Sequence, residues 1–230
     1  MKLASLLFLS VAVLLSAACS STTVLLTNFN AEPLGGPPAT VQPTGTLEFK
    51  NGAGSVRVVS PPAGDNAGKQ WLRINHPTAG PTSEETVMRA QFDTFHGAGK
   101  YNLVVALFIP TGTGAVSLDL ETINGSLASS PNFLHLDFTP ENSVRLNDDD
   151  TQRFGSFPRD TSFVLSILVD STVAPPTARI SLLGGGSATG QRDVVLPPIA
   201  GSFGALRWWM GFQWKGEFFL DDLLVTKQSS

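Results

Sequence analysis

Val116-Ser117-Leu118-Asp119-Leu120-Glu121 and, a turn later, Phe133-Leu134-His135-Leu136-Asp137-Phe138 decide how this chain folds. Val116, Leu118 and Leu120 alternate with Ser117, Asp119 and Glu121. Leu134, Leu136 and Phe138 alternate with Phe133, His135 and Asp137. A period of two places successive side chains on opposite faces of an extended backbone. Each stretch therefore predicts a strand with one face in a core and the other toward water. Ala178, Ile180 and Leu182 repeat the pattern against Arg179 and Ser181.

Three other runs, 103–109, 163–169 and 218–225, are apolar at nearly every position and predict central strands covered on both faces. Turn formers punctuate the chain between the runs: Asn51-Gly52, Pro61-Pro62, Asn124-Gly125, Asn147 to Asp150, Gly184-Gly185-Gly186 and Pro197-Pro198 among them. No ten-residue window has helical periodicity. A dozen or more short strands in one unit predict an all-β fold, a two-sheet antiparallel β-sandwich of jelly-roll type. Residues 24–230 read as one such domain, with 44–50 as an early strand and the Pro-rich 32–43 as a loop wrapping it.

Composition narrows the function. Hydrophobic residues make up 42% and charged ones 15%, enough for a large core and too little charge for disorder. The net charge of −4, with no basic block, excludes nucleic acid as the main partner. The single cysteine, Cys19, rules out an intrachain disulfide and a Cys-based zinc cluster.

That cysteine closes a leader. Met1-Lys2 is a short positive start, the run Leu3 to Leu15 is uncharged and too short to span a bilayer, and Ser16-Ala17-Ala18 are small. Residues 1–18 read as a signal-peptide helix and 19–23 as a tether. Leu15-Ser16-Ala17-Ala18-Cys19 resembles the lipobox of bacterial lipoproteins, although Ser16 stands where that motif usually has Leu. The resemblance implies cleavage before Cys19, acylation of its thiol, and a protein held on the cell envelope by lipid, at the outer membrane if the organism is Gram-negative; a monomer is expected.

Asn28-Phe29-Asn30-Ala31-Glu32-Pro33-Leu34-Gly35-Gly36 near the start, and Gly216-Glu217-Phe218-Phe219-Leu220-Asp221-Asp222-Leu223-Leu224-Val225 at the end, resemble the opening and closing strands of concanavalin A-like (laminin G-like) sandwiches. The resemblance implies the jelly-roll fold. It also implies a structural calcium between those strands, with Glu32 and Asp221 or Asp222 as ligands. Asp221-Asp222 needs some partner on any reading, because a carboxylate inside an apolar strand is costly unless paired.

Several sites compete. A glycosidase needs two carboxylates, and the nearest patterns are Asp119/Glu121 and His135-Leu136-Asp137-Phe138-Thr139-Pro140-Glu141, where His135 takes the place of a leading Glu. The histidines His76, His96 and His135 accompany no Gly-x-Ser-x-Gly elbow. Strand alternation sets Trp71, Arg73 and Asn75 opposite Leu72 and Ile74, and Trp209 with Arg207 and Gln213 opposite Trp208, Met210 and Trp214. A tryptophan beside hydrogen-bonding groups makes a sugar platform. The predicted site is thus Trp71, Arg73, Arg207, Trp209 and Gln213, with Asp119, Glu121, His135 and Asp137 as polar neighbours. The sequence favours a glycan-binding lipoprotein without catalysis, with polysaccharide as ligand. The alternatives are a structural or adhesion lipoprotein that binds another envelope protein, and a sandwich-fold glycosidase or lyase.

Overall fold

The computed structural model describes residues 20–62, 69–127, 131–186 and 188–228. The expected leader 1–18 and the expected acylation site Cys19 lie outside the described residues. Fifteen strands form: β1 (Ser21–Thr27), β2 (Thr46–Lys50), β3 (Ser55–Val59), β4 (Trp71–His76), β5 (Thr86–Gln91), β6 (Lys100–Phe108), β7 (Val116–Thr122), β8 (Asn132–Phe138), β9 (Val144–Leu146), β10 (Asp149–Phe154), β11 (Phe163–Asp170), β12 (Thr177–Leu183), β13 (Gln191–Val195), β14 (Phe203–Met210) and β15 (Gly216–Gln228). Among the described residues the only helix is a short 3-10 turn at Pro198–Ser202.

The strands divide into two antiparallel sheets. One has eight strands in the order β13-β12-β11-β6-β15-β4-β3, with β1 also paired to β15; the other has seven in the order β10-β9-β8-β7-β14-β5-β2. The inner faces share one core. Trp208 of the seven-stranded sheet lies between Phe138 (6.1 Å between centroids) and Phe218 of the facing sheet (6.2 Å), and Phe138 meets Phe163 across the layer at 6.0 Å. The predicted loop 32–43 ties the edges together. Gly35 and Gly36 exchange backbone hydrogen bonds with Val58, and Thr40 accepts one from Leu47.

Three expectations need correcting. The residues 21–23, read as tether, are already strand: Ser21 pairs with Gln228, Thr22 with Lys227 and Thr23 with Thr226. The runs on β6 and β11 are central, but their outer faces are only half covered. Val104, Ala106 and Val164 are half-buried and Leu168 is exposed. Third, a bulge accommodates Asp221-Asp222 in the apolar strand. The register against β6 slips by one residue between Asp221 and Leu224, and Asp222 takes a left-handed φ of 49°. The extra residue lets Leu220 and Leu223 both face the core while Asp222 turns out to pair with Lys69.

Registers give the sandwich two ends. At one lie the start of β1 and the end of β15, with Lys100, Asp170, Thr177 and Val195 in line across β6, β11, β12 and β13. At the other lie the start of β15, the end of β4 and the end of β14. β15 has thirteen residues, so the ends stand about 40 Å apart at about 3.3 Å per residue. Trp208 is fully buried between the layers; Trp208→Ala should cost about 3–5 kcal/mol. The urea midpoint checks this, and a loss below about 1 kcal/mol would mean that the layers do not pack through this ring.

Candidate functional site

The face of the seven-stranded sheet that points away from the core is where the alternation of β7 and β8 leads. Cross-strand register aligns His135, Asp119, Arg207, Arg89 and Glu48 in one row, and Arg145, Asp137, Ser117 and Trp209 in the next. The sequence puts this face toward water, yet Arg89, Ser117, Asp119, Glu121, His135 and Asp137 are all buried. Crowding of long side chains replaces water with ion pairs, which is how buried charge is tolerated.

Asp119 is the hub. It accepts hydrogen bonds from Trp209 Nε1–H (2.8 Å), Asn132 Nδ2–H (2.9 Å) and His135 Nδ1–H (2.6 Å). The other imidazole nitrogen of His135 lies 3.1 Å from Asp137, which also accepts from Ser117 Oγ–H (2.6 Å) and from two nitrogens of Arg145 (3.1 and 2.5 Å). Burial alone would lower the His135 pKa, but its hydrogen bonds to Asp119 and Asp137 and their charges outweigh it and raise the value to about 10. Burial pushes Asp137 upward; the His135 hydrogen bond and charge, with Ser117 and Arg145, overcome it and hold this carboxyl well below the usual range. His135 is therefore an imidazolium clamped by two carboxylates. Beside it, Arg89 donates to Glu121 (2.7 Å) and Gln91 (2.7 Å), and Arg207 donates to Glu85 (2.8 Å) and lies 5.4 Å over the Trp209 ring.

Asp119, Glu121 and Asp137 each face a cation, so the arrangement pairs its charges across the sheet face. Among the described residues one group brings three metal-ligating side chains within 4.8 Å of one another, His135, Asp137 and Asp148. There the His135 proton and the Arg145 guanidinium, 3.1 Å from Asp148, already neutralise the carboxylates. The calcium ligands expected from the sequence do not converge. The Glu32 carboxylate accepts from Ala39 N–H (3.0 Å) and Gln42 Nε2–H (3.1 Å) within its own loop, and Asp222 pairs with Lys69. Asn147 and Asp148, with φ of 50° and 58°, are the turn of the β9–β10 hairpin.

The structure separates the predicted binding residues. Trp71 and Arg73 belong to the eight-stranded sheet, Arg207 and Trp209 to the seven-stranded one. Trp71 is no platform: it is buried in a small cluster with Phe108 and Phe219. Arg73 faces Glu217 at 3.5 Å. Arg207, Trp209 and Gln213 do stay together. A Cβ on Gly211 would stand 3.0 Å from the Trp209 ring and 3.4 Å from Gln213 Oε1, so indole and amide flank this glycine.

Gln213 leads into a cavity of about 800 Å³ at the end where β14 gives way to β15, lined by Thr78, Thr111, Asn142, Arg159, Gln213 and Trp214 among others. Arg159 fixes its wall. Its guanidinium donates to Asn142 Oδ1 (2.7 Å) and to the carbonyls of Thr139 (2.8 Å), Pro110 (3.2 Å) and Thr113 (3.3 Å), joining three loops. Asp160 takes the Thr111 N–H (3.0 Å) and hydroxyl (2.6 Å). Gly114 is obligatory, since a Cβ there would come 2.8 Å from Trp214 Cβ. Strand phase set Trp214 with the core residues of β14, and the half-buried ring, on the turn that follows Met210, does pack against that core while also lining the cavity. The signal for the turn was Gly211 before the ring and Gly216 after it. Arg159 and Asn142, in loops without period, carried none.

No protein-family model matches the chain, and no curated protein matches it. Among solved structures the fold is similar to lectin II from Ulex europaeus (TM-score 0.54, 8% identity, 91% of this chain and 100% of that one) and to peanut lectin crystallised with a nine-residue peptide (TM-score 0.51, 8% identity, 92% and 99%). It is also similar to a lectin described as UEA-II complexed with galactose (TM-score 0.53, 8% identity, 91% and 100%). At such identity the likeness is one of fold, a legume-lectin-like sandwich.

The His135 cluster makes stability depend on pH. His135 has a higher pKa folded than the ordinary 6.5, so the unfolded chain sheds a proton that the folded chain keeps between 6.5 and about 10. Its contribution is complete below pH 6.5, declines as pH rises and is lost above about 10. Asp137 sets the acid limit: its contribution is present above the ordinary carboxylate pKa and is lost as pH falls through its lowered value. The urea midpoint should fall between about pH 6 and about pH 9, and His135→Gln should flatten that decline. An imidazole NMR signal that titrates near the ordinary value would refute the clamp.

Proposed function

We propose that this chain is a non-catalytic glycan-binding domain, carried by a lipid-anchored envelope protein, and that its site is the loop-end cavity at Gln213 and Trp214 with Trp209 at its rim. The observation that carries the reading is the make-up of that cavity. The Trp214 indole stands beside amides (Gln213, Asn142) and a hydroxyl (Thr111), and Arg159 ties together the loops that bear Asn142 and Thr111. Sugars are bound by such sets, an apolar ring face for the C–H side of the pyranose and planar hydrogen-bonding groups for its hydroxyls. Rigid loops lower the entropic cost of binding. The likeness in fold to proteins described as lectins, one of them complexed with galactose, supports the same reading.

Commitment of every carboxylate on the neighbouring sheet face to a cation favours binding over hydrolysis. The leader, its small residues and the lone Cys19 support the lipid anchor.

A glycan array probed with the whole protein tests the site. Gln213→Ala should weaken retention on the order of tenfold, equivalent to about 1.4 kcal/mol, without moving the urea midpoint; Trp214→Ala should weaken it at least as much and also lower the midpoint, because the ring packs on the core. Retention unchanged in both would remove the cavity as the site. Cys19→Ser should release the protein from membranes into the soluble fraction, and a wild-type N-terminus without acyl mass would refute the anchor.

A further inference from the structure

We infer that the end of the sandwich where β1 begins is itself a membrane-docking face, seated in the headgroup layer beside the acyl chains on Cys19. The inference rests on the Cys19 anchor proposed above. Ser21 is already hydrogen-bonded into the eight-stranded sheet against Gln228. Cys19 precedes it by two residues, a reach of about 7 Å. The headgroup layer is itself about 5–8 Å deep on each side of a bilayer. An anchor this short cannot hold the domain clear of the surface, so whatever side chains surround Ser21 must meet lipid.

Those side chains suit lipid. Nine large hydrophobic residues are exposed among the described residues, and five of them gather at this end: Phe95, Leu168, Val173, Val195 and Ile199, each 44–68% exposed. Register and loop contacts bring them together. Val195 is in line with Thr177, Asp170 and Lys100. The loop bearing Phe95 is tied to this end by Tyr101 Oη donating to the Gly97 carbonyl and by Lys227 Nζ donating to the His96 carbonyl. The loop bearing Val173 is tied to it by Ser171 N–H donating to the Gly99 carbonyl (3.0 Å). Ile199 sits in the turn that hands the chain from β13 to β14. Of the other four, Leu183 and Phe212 lie toward the opposite end, and Leu34 and Val41 lie in the loop between β1 and β2.

Electrostatics does not oppose contact. The acids here are Asp93, Asp170 and Asp193, and each has a cationic or ionisable partner: His96 at 3.2 Å, Lys100 at 3.3 Å and Arg179 at 2.7 Å. Scattered exposed apolar residues are ordinary on any protein, but a cluster at the one place where a lipid must emerge marks an interaction surface. Docking by this end would hold the Trp214 cavity at the far end, pointing into the surrounding medium.

The test uses the acylated full-length protein in vesicles of phosphatidylethanolamine and phosphatidylglycerol. Single cysteines replace Phe95, Val173, Ile199 or, as control, Phe212, and each carries an environment-sensitive fluorophore; acylated Cys19 takes none. Nitroxide-bearing lipid should quench the probes at 95, 173 and 199 and leave 212 bright. Intact mass first reports the acyl chains. Absence of acyl mass overturns the anchor and the docking together. Acyl mass with no quenching at 95, 173 and 199 overturns the docking alone, as does quenching at 212 equal to theirs. A blue shift at those positions without lipid quenching also overturns it, by showing that protein covers the face.

Discussion

Trp208 and Trp209 are neighbours in the chain and point in opposite directions, and much of the molecule follows from that. The pleat sends Trp208 into the layer between the sheets, against Phe138 and Phe218. It sends Trp209 outward, onto Asp119. The strands of the seven-stranded sheet follow the same division except where register shifts bring Phe133 and Phe203 into the core, so one face is a dry apolar core and the other is rich in charge. A slip of one residue in any register would exchange the two sets and bury carboxylates between the layers. The register is therefore held from both sides, by packing on one and by ion pairs on the other.

The charged face shows what compensation does to chemistry. Asp119, Asp137 and Glu121 would be strong acid–base candidates if each were free in a cleft. Each instead meets a cation within 2.5–2.7 Å. For Asp137 the His135 and Arg145 contacts hold the carboxyl well below its usual range, which makes it a poor proton donor. The clamp that raises His135 to about 10 also keeps it from acting as a base near neutrality. This face orders the sheet; the contacts available to a ligand lie past its edge, where Gly211 breaks β14 and the loops open.

Fold class was legible because it rests on period two, which survives in any strand with one buried face. Val116 to Glu121 and Phe133 to Phe138 carry it plainly. The outward residues were harder. Their alternation shows only that they leave the core, and a sequence does not say whether they then meet water or one another; so Asp119 and His135 read as solvated and are buried. Trp71 and Trp209 have the same local pattern and lie on different sheets, because strand order comes from topology and not from spacing. The bulge at Asp222 was visible only as an anomaly, two acids in an oily strand, whose resolution needed the partner strand. Trp214 was read as a core residue and does pack on the core; that it also lines a cavity was hidden, since the loops opposite it carry no period.

Two ends of one sandwich then take different roles for a reason rooted in strand direction. β1 enters beside the end of β15, so Ser21 is fixed to one pole. β15 begins beside the turn that presents Trp214, so the cavity is fixed to the other. The length of β15 sets the distance between them. β1 is paired from Ser21 onward, so the pole that stands opposite the cavity is set by the same hydrogen bonds that complete the eight-stranded sheet.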